Sequence, residues 1–189
     1  MAQVRTFVAI ECSEHLRSSC EQAVAKLSDV VDGARWVQPE NIHLTLKFLG
    51  EVEDRELHAV CQKVGEAAQT VSKFDVACRS VGAFPSVERP STIWIDVVDS
   101  NDHVMELQQK VAESLSDLGF PIERRPFKAH LTIGRTRSRD SGNPEWLKIV
   151  ERYANREFGL LSVKEVVVFS SELERRAPVY TALARCPLG

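Results

Sequence analysis

One four-residue pattern, written twice, limits this chain more than any other feature: His43-Leu44-Thr45-Leu46 and His130-Leu131-Thr132-Ile133. Each alternates polar and apolar side chains, which is the signature of a strand with one covered face. His and Thr then share a face, and the aliphatic pair points into a core behind it. With five His and seven Thr in 189 residues, background composition predicts about 0.03 such patterns in the chain. Two copies, just under half a chain length apart, point to a duplicated unit whose halves each deliver one His and one Thr.

The length suits one domain or two small lobes with a shared core. With 43% hydrophobic and 27% charged residues, the composition is that of an ordinary soluble protein, and no apolar run reaches the roughly 20 residues needed to span a bilayer. A cytoplasmic location without membrane association is the default expectation. The cysteines (Cys12, Cys20, Cys61, Cys78, Cys186) are odd in number and irregularly spaced. Neither a disulfide framework nor a zinc site is expected from them. The net charge of −3 excludes a broadly basic nucleic-acid coat but leaves room for a local basic site.

Along the chain, strands are expected from Gln3 to Glu11, Ile42 to Gly50, Lys73 to Ala83, Thr92 to Val98, around the second motif, from Leu160 to Ser170 and from Val179 to Cys186. Helices are expected from Ser13, as cap, to about Val31, then over Asp54–Ala68, Asn101–Leu118 and Glu145–Asn155. Two prolines mark Phe84–Pro90 as a loop, and Ser138–Pro144 reads as a polar loop. Because most strand patterns alternate, antiparallel sheets are favoured over a buried parallel one. The fold class expected is α+β, as one domain over residues 1–189.

Two imidazoles across a cleft, each beside a hydroxyl, suit phosphodiester hydrolysis. Near its reference pKa of about 6.5, imidazole is available in both protonation states, so one ring can accept a proton while the other donates one. Thr45 and Thr132 would hold the non-bridging oxygens. A lone His on a strand is more often a half-buried structural residue, but repetition of the same pair on the same face favours a shared site. Neither motif carries a second metal ligand at short spacing, so no metal or other cofactor is expected. Arg124, Arg125, Lys128, Arg135, Arg137 and Arg139 crowd around the second motif. They form an anion-attracting patch in an acidic chain. Arg135 follows Gly134, and strict alternation aims it away from the His130 face, so a role in binding needs a bend or bulge at Gly134. By the same alternation Lys47 shares the His43 face, either holding phosphate or standing in solvent, and Phe48 falls on the apolar side, as a core residue rather than a base-stacking platform. Trp36, Phe84 and Trp94 suit base stacking or packing equally well. His15, His58 and His103 lack a partner Thr and read as surface residues.

At these residues the chain resembles the two-histidine phosphoesterases, and within them the RNA 2′,3′-cyclic phosphodiesterases of bacteria and archaea, also called 2′-5′ RNA ligases. The resemblance spans Arg5 to Ile10, Arg35 to Gly50, Phe84-Pro85-Ser86, Arg125 to Arg135 and the closing Tyr180 strand with Pro187-Leu188-Gly189. It implies a bilobal fold with pseudo-two-fold symmetry, antiparallel sheets lining a central cleft, helices outside, and one motif per lobe. It also implies metal-free opening of a terminal 2′,3′-cyclic phosphate to a 2′-phosphate, on RNA ends or oligonucleotides, by a monomer. His43 would be the proton donor and His130 the proton acceptor. Thr45 and Thr132 would bind the phosphate, with Arg135 assisting. Gly134 stands where Ala or another small residue is expected, which could loosen Arg135. Run backwards, the site would form a 2′-5′ linkage. The competing readings are a non-catalytic nucleotide- or RNA-binding module using the same cleft and a metal-dependent hydrolase.

Overall fold

A computed structural model describes residues 2–136, 143–174 and 177–189. The polar loop expected from Ser138 falls mostly outside these, as do Arg137 and Arg139 of the basic patch. Among the described residues the strands are β1 (Gln3–Glu11), β2 (Arg35–Trp36), β3 (His43–Glu53), β4 (Phe74–Pro85), β5 (Pro90–Val98), β6 (His130–Arg135), β7 (Glu157–Val163), β8 (Glu165–Leu173) and β9 (Pro178–Pro187). The helices are α1 (Glu14–Ser28), α2 (Leu57–Ala68), α3 (His103–Ser116) and α4 (Pro144–Arg152).

The strands form one curled sheet in the order β7-β4-β5-β6-β3-β1-β8-β9, with β2 beside the end of β6. Every pairing is antiparallel. The order reads the same from both ends by role. Each half places its motif strand (β6 or β3) at the centre and a strand followed by a helix (β5 or β1) next to it. This is the expected α+β architecture with pseudo-two-fold symmetry, and the two half-sheets meet at a seam between β3 and β6.

Alternation along β1 sorts the two faces of the sheet. Val8 and Ile10 enter a large core with Leu16, Cys20 and Leu27 of α1, Val60 and Val64 of α2, and Leu107, Val111 and Leu115 of α3. Phe7 and Ala9 point the other way and form a small cluster with Val167, Phe169 and Tyr180 on the open, concave face. Two of the helices, α1 and α4, begin at a side chain that accepts from a free N–H group. The Leu16 amide donates to Ser13 Oγ (3.3 Å) at the start of α1, and the Glu145 amide donates to Asn143 Oδ1 (3.0 Å) at the start of α4. Gly119 follows α3 with φ +88°, a left-handed stop that glycine accepts without a Cβ clash.

Two sequence expectations change. Leu160 to Ser170 is not one strand, because the ladder breaks at Lys164 and leaves β7 on β4 and β8 on β1, in opposite halves of the sheet. Phe84–Pro90 is not wholly irregular, because Pro85 ends β4 and Pro90 opens β5, directly paired. Strand ends tolerate proline, since no inner ladder bond needs the missing N–H. The five cysteines are free, and no helix among the described residues is long and apolar enough to cross a membrane.

Candidate active site

Leu44 of β3 pairs with Leu131 of β6 across the seam. One residue either way along this antiparallel register sets His43 opposite Thr132 and Thr45 opposite His130. All four side chains lie on the face away from the two leucines. That face is the concave one. On its outer side, His43 pairs with Glu11 and Thr45 with Ala9 of β1; His130 pairs with Asp96 and Thr132 with Trp94 of β5.

The two rings are held by the same bond. His43 Nδ1 lies 2.7 Å from the Asn41 carbonyl oxygen, and His130 Nδ1 lies 2.7 Å from that of Lys128. A carbonyl can only accept, so in both rings Nδ1 carries the proton and Nε2 is left for chemistry. When neutral, each ring offers an Nε2 lone pair, a base. When charged, it offers Nε2–H, an acid.

Each motif strand carries a bulge at the fourth residue of its motif. Register shifts fall between Val8 and Ala9 opposite β3, and between Ile93 and Trp94 opposite β6, leaving Leu46 and Ile133 as the extra residues. An extra residue reverses the alternation beyond it. Arg135 pairs with Thr92 and Thr132 with Trp94, so Arg135 does reach the His130 face, its Nη1 3.4 Å from Thr92 Oγ1. The bulge it needed sits at Ile133, one residue before Gly134. Gly134 turns inward under Trp36, where a Cβ would lie 2.6 Å from Cε3 of the ring.

On β3 the same reversal overturns two expectations. Lys47 does not share the His43 face: it pairs with Val8, is 3% exposed, and its Nζ donates to the Pro121 carbonyl at 2.7 Å. That places it in the core, away from a phosphate in the cleft. Phe48 is not a core residue: it pairs with Phe7 on the concave face and is 61% exposed. His15 and His58 are exposed, and His103 lies at the start of α3, 4.0 Å from Asp99.

The family model described as LigT like Phosphoesterase matches residues 10–94 and again 95–180, once over each half. The chain belongs to this family. An RNA 2′,3′-cyclic phosphodiesterase of Archaeoglobus fulgidus is 35% identical over 180 residues, 95% of this chain and 98% of that protein. One of the same name from Aquifex aeolicus is 30% identical over the whole of both chains. Among solved structures, a Thermus thermophilus protein superposes with TM-score 0.80 at 26% identity, covering 97% of each chain. E. coli LigT complexed with 3′-AMP shares the fold, with TM-score 0.78 at 23% identity over 99% of each chain.

In this LigT-like phosphoesterase the two imidazoles sit in unlike walls. His43 stacks on Phe7 (ring centroids 5.0 Å apart, 28° between planes) and meets the edge of Tyr180 at 5.4 Å. Burial among these rings pushes its pKa down to about 4, against the opposing pull of the Asn41 carbonyl. His130 meets Phe84 edge-on at 5.0 Å. Burial lowers its pKa as well. The Lys128 carbonyl opposes that, the Lys128 and Arg135 charges add to it, and Asp96 works against them. Of the remaining basic patch, Arg124 and Arg125 are exposed. Lys128 lies 4.0 Å over the Trp94 ring and 3.9 Å from Asp96.

Sequence reading missed the aromatic wall of Phe7, Phe169 and Tyr180, and the carboxylates beside each ring. The available signal was the parity of β1, which sets Phe7, Ala9 and Glu11 on one face. Assigning that face to the cleft requires the pairing with β3.

Proposed function

We propose that this chain is an RNA 2′,3′-cyclic phosphodiesterase that opens the terminal cyclic phosphate to a 2′-phosphate by metal-free proton transfer between two histidines. The observation that carries this reading is the seam register, which gathers His43, Thr132, Thr45 and His130 on one concave surface. Two rings with Nδ1 anchored to carbonyls and Nε2 free are what an acid and a base around one phosphorus need. Residues 1–189 act as one two-lobed monomer, each lobe contributing one motif.

In the forward direction His130 Nε2 takes a proton from the attacking water. His43, as the imidazolium, gives its Nε2 proton to the departing 3′ oxygen, and the P–O3′ bond breaks as the water oxygen bonds to phosphorus. Thr45 and Thr132 donate to the non-bridging oxygens, and Arg135 offsets their charge. Burial disfavours a charged His43 in the free protein, so the donor takes up its proton with the substrate, whose phosphate charge favours the imidazolium. With a 5′-hydroxyl in place of water as the nucleophile, the same groups join the cyclic phosphate to it as a 2′-5′ linkage, the 3′ oxygen leaving as before; abundant water makes hydrolysis the net outcome.

The test is product analysis. RNA ending in a 2′,3′-cyclic phosphate, incubated with the protein in chelator, should give the 2′-phosphate. A 3′-phosphate product, no turnover, or turnover abolished by the chelator would overturn the reading.

A further inference from the structure

Arg35 of β2 stands directly opposite Arg135 of β6. Partners in an antiparallel ladder project on the same side of the sheet, with Cβ atoms about 5 Å apart. The neighbouring residues fix which side that is. Trp36 packs on the large core and covers Gly134, so alternation sends Arg35 to the concave face. Arg135 is there already: its Nη1 lies 3.4 Å from Thr92 Oγ1, and its charge acts on both His130 and Tyr180.

Like charges set opposite each other weaken a sheet. Both side chains are exposed, and neither forms an ion pair among the described residues. Two unneutralised guanidiniums at one point of a cleft suit an oxyanion, which their planar forks bind in pairs of hydrogen bonds.

The pair lies just past the motifs. From Thr132 to Arg135 the partner on β5 changes from Trp94 to Thr92, two residues or roughly 7 Å along the sheet. Because Leu44 pairs with Leu131, that step leads past His43, which faces Thr132, and away from His130. In the reaction proposed above, the departing 3′ oxygen lies on the His43 side, and with it the ribose; water enters from the His130 side. An anion beyond His43 therefore belongs to the strand that carries the cyclic end.

We infer that Arg35, together with Arg135, forms a subsite for the phosphate on the 5′ side of the cyclic-phosphate-bearing nucleotide. Arg35 is given to that phosphate, and Arg135 is shared with the reacting one. This rests on the phosphodiesterase reading above. It makes Arg35 a specificity residue that favours a 5′-phosphorylated or chain-linked end over a bare nucleoside cyclic phosphate.

The experiment compares wild type, Arg35→Gln and Arg35→Lys on adenosine 2′,3′-cyclic phosphate with and without a 5′-phosphate. Wild type should favour the 5′-phosphorylated substrate in kcat/KM by about 5- to 50-fold, chiefly through KM. Arg35→Gln should lose most of that preference, and Arg35→Lys should keep part of it, as a point charge in place of a planar fork. On RNA with a cyclic-phosphate end, Arg35→Gln should flatten the dependence of log kcat/KM on log salt by about 0.7 in slope, a change that mere loss of fold does not produce. No preference in the wild type, or equal losses by Arg35→Gln on both substrates, would overturn the subsite. Calorimetry with adenosine 2′,5′-bisphosphate and 2′-AMP keeps the two readings apart. If the wild type turns over neither substrate, the phosphodiesterase reading fails. The subsite then stands if Arg35→Gln weakens the bisphosphate selectively, and falls if it weakens both ligands alike or neither.

Discussion

His43 and His130 make the same 2.7 Å bond to the carbonyl two residues upstream, at Asn41 and Lys128. Each motif therefore fixes not only a ring but its tautomer, and presents the same nitrogen to the cleft. On the proposed mechanism, removing either ring removes one proton-transfer partner and leaves the cleft in place. His43→Ala and His130→Ala should each lower kcat roughly 10²- to 10⁴-fold, while 2′-AMP binding measured by calorimetry largely survives. The double variant should be far less impaired than the product of the two losses. Full activity in either single variant would remove that ring from the chemistry.

The walls around the rings make activity depend on pH in a particular way. The rate should pass through a maximum, since the proposed mechanism needs one ring neutral and the other charged. Bound phosphate raises the proton affinity of the donor, so the alkaline limb of kcat should lie at higher pH than that of kcat/KM. Coincident limbs would mean that substrate charge does not supply the donor's proton affinity.

Stability should carry the same signature. His43 is held neutral down to about pH 4 in the folded protein, whereas the unfolded ring takes its proton near 6.5. The unfolded state binds more protons between these values, so stability is full above about pH 6.5 and falls as pH drops toward 4. The His43 share of that loss is on the order of 3 kcal/mol. Urea titrations should show it, and His43→Gln should remove that share; an unchanged pH slope in the variant would place the dependence elsewhere.

Gly134 has no room for a methyl group, with Trp36 Cε3 and Cζ3 at 2.6 and 2.8 Å from a built Cβ. Gly134→Ala should cost about 1–3 kcal/mol through overpacking and, by shifting the strand, weaken the contribution of Arg135. The same substitution in a Trp36→Ala background should cost much less, and a double-mutant cycle on thermal unfolding measures the coupling. Additive losses would show that the ring is not what limits the position.

Lys47→Met separates a buried structural ammonium from a phosphate ligand. Because Lys47 Nζ is spent on the Pro121 carbonyl, the variant should change unfolding free energy by about 1 kcal/mol and leave kcat/KM near wild type. A selective rise in KM would return Lys47 to the substrate.

The His and Thr of each motif were legible because they depend on strand alternation alone, over the three residues that precede each bulge. Lys47, Phe48 and Arg135 lie just beyond, and for them alternation points to the wrong face. The extra residue at Leu46 or Ile133 arises from pairing with β1 and β5, strands remote in sequence. A period-2 pattern has no memory of such a partner. The break at Lys164 is hidden for a related reason: the strand-forming residues on either side of Lys164-Glu165 read as one strand from Leu160 to Ser170 until they find partners in opposite halves of the sheet.

The chain's own order of residues determined the duplicated strand–helix units, the antiparallel character and the identity of the four polar groups, because these follow from local periodicity and short-range conformational preference. Tertiary structure alone decided that Leu44 meets Leu131, which side chains the two bulges turn into the cleft or out of it, and that aromatic rings bury one imidazole more deeply than the other. Those outcomes depend on which distant backbone supplies the hydrogen bonds, and a strand's sequence does not specify its neighbour.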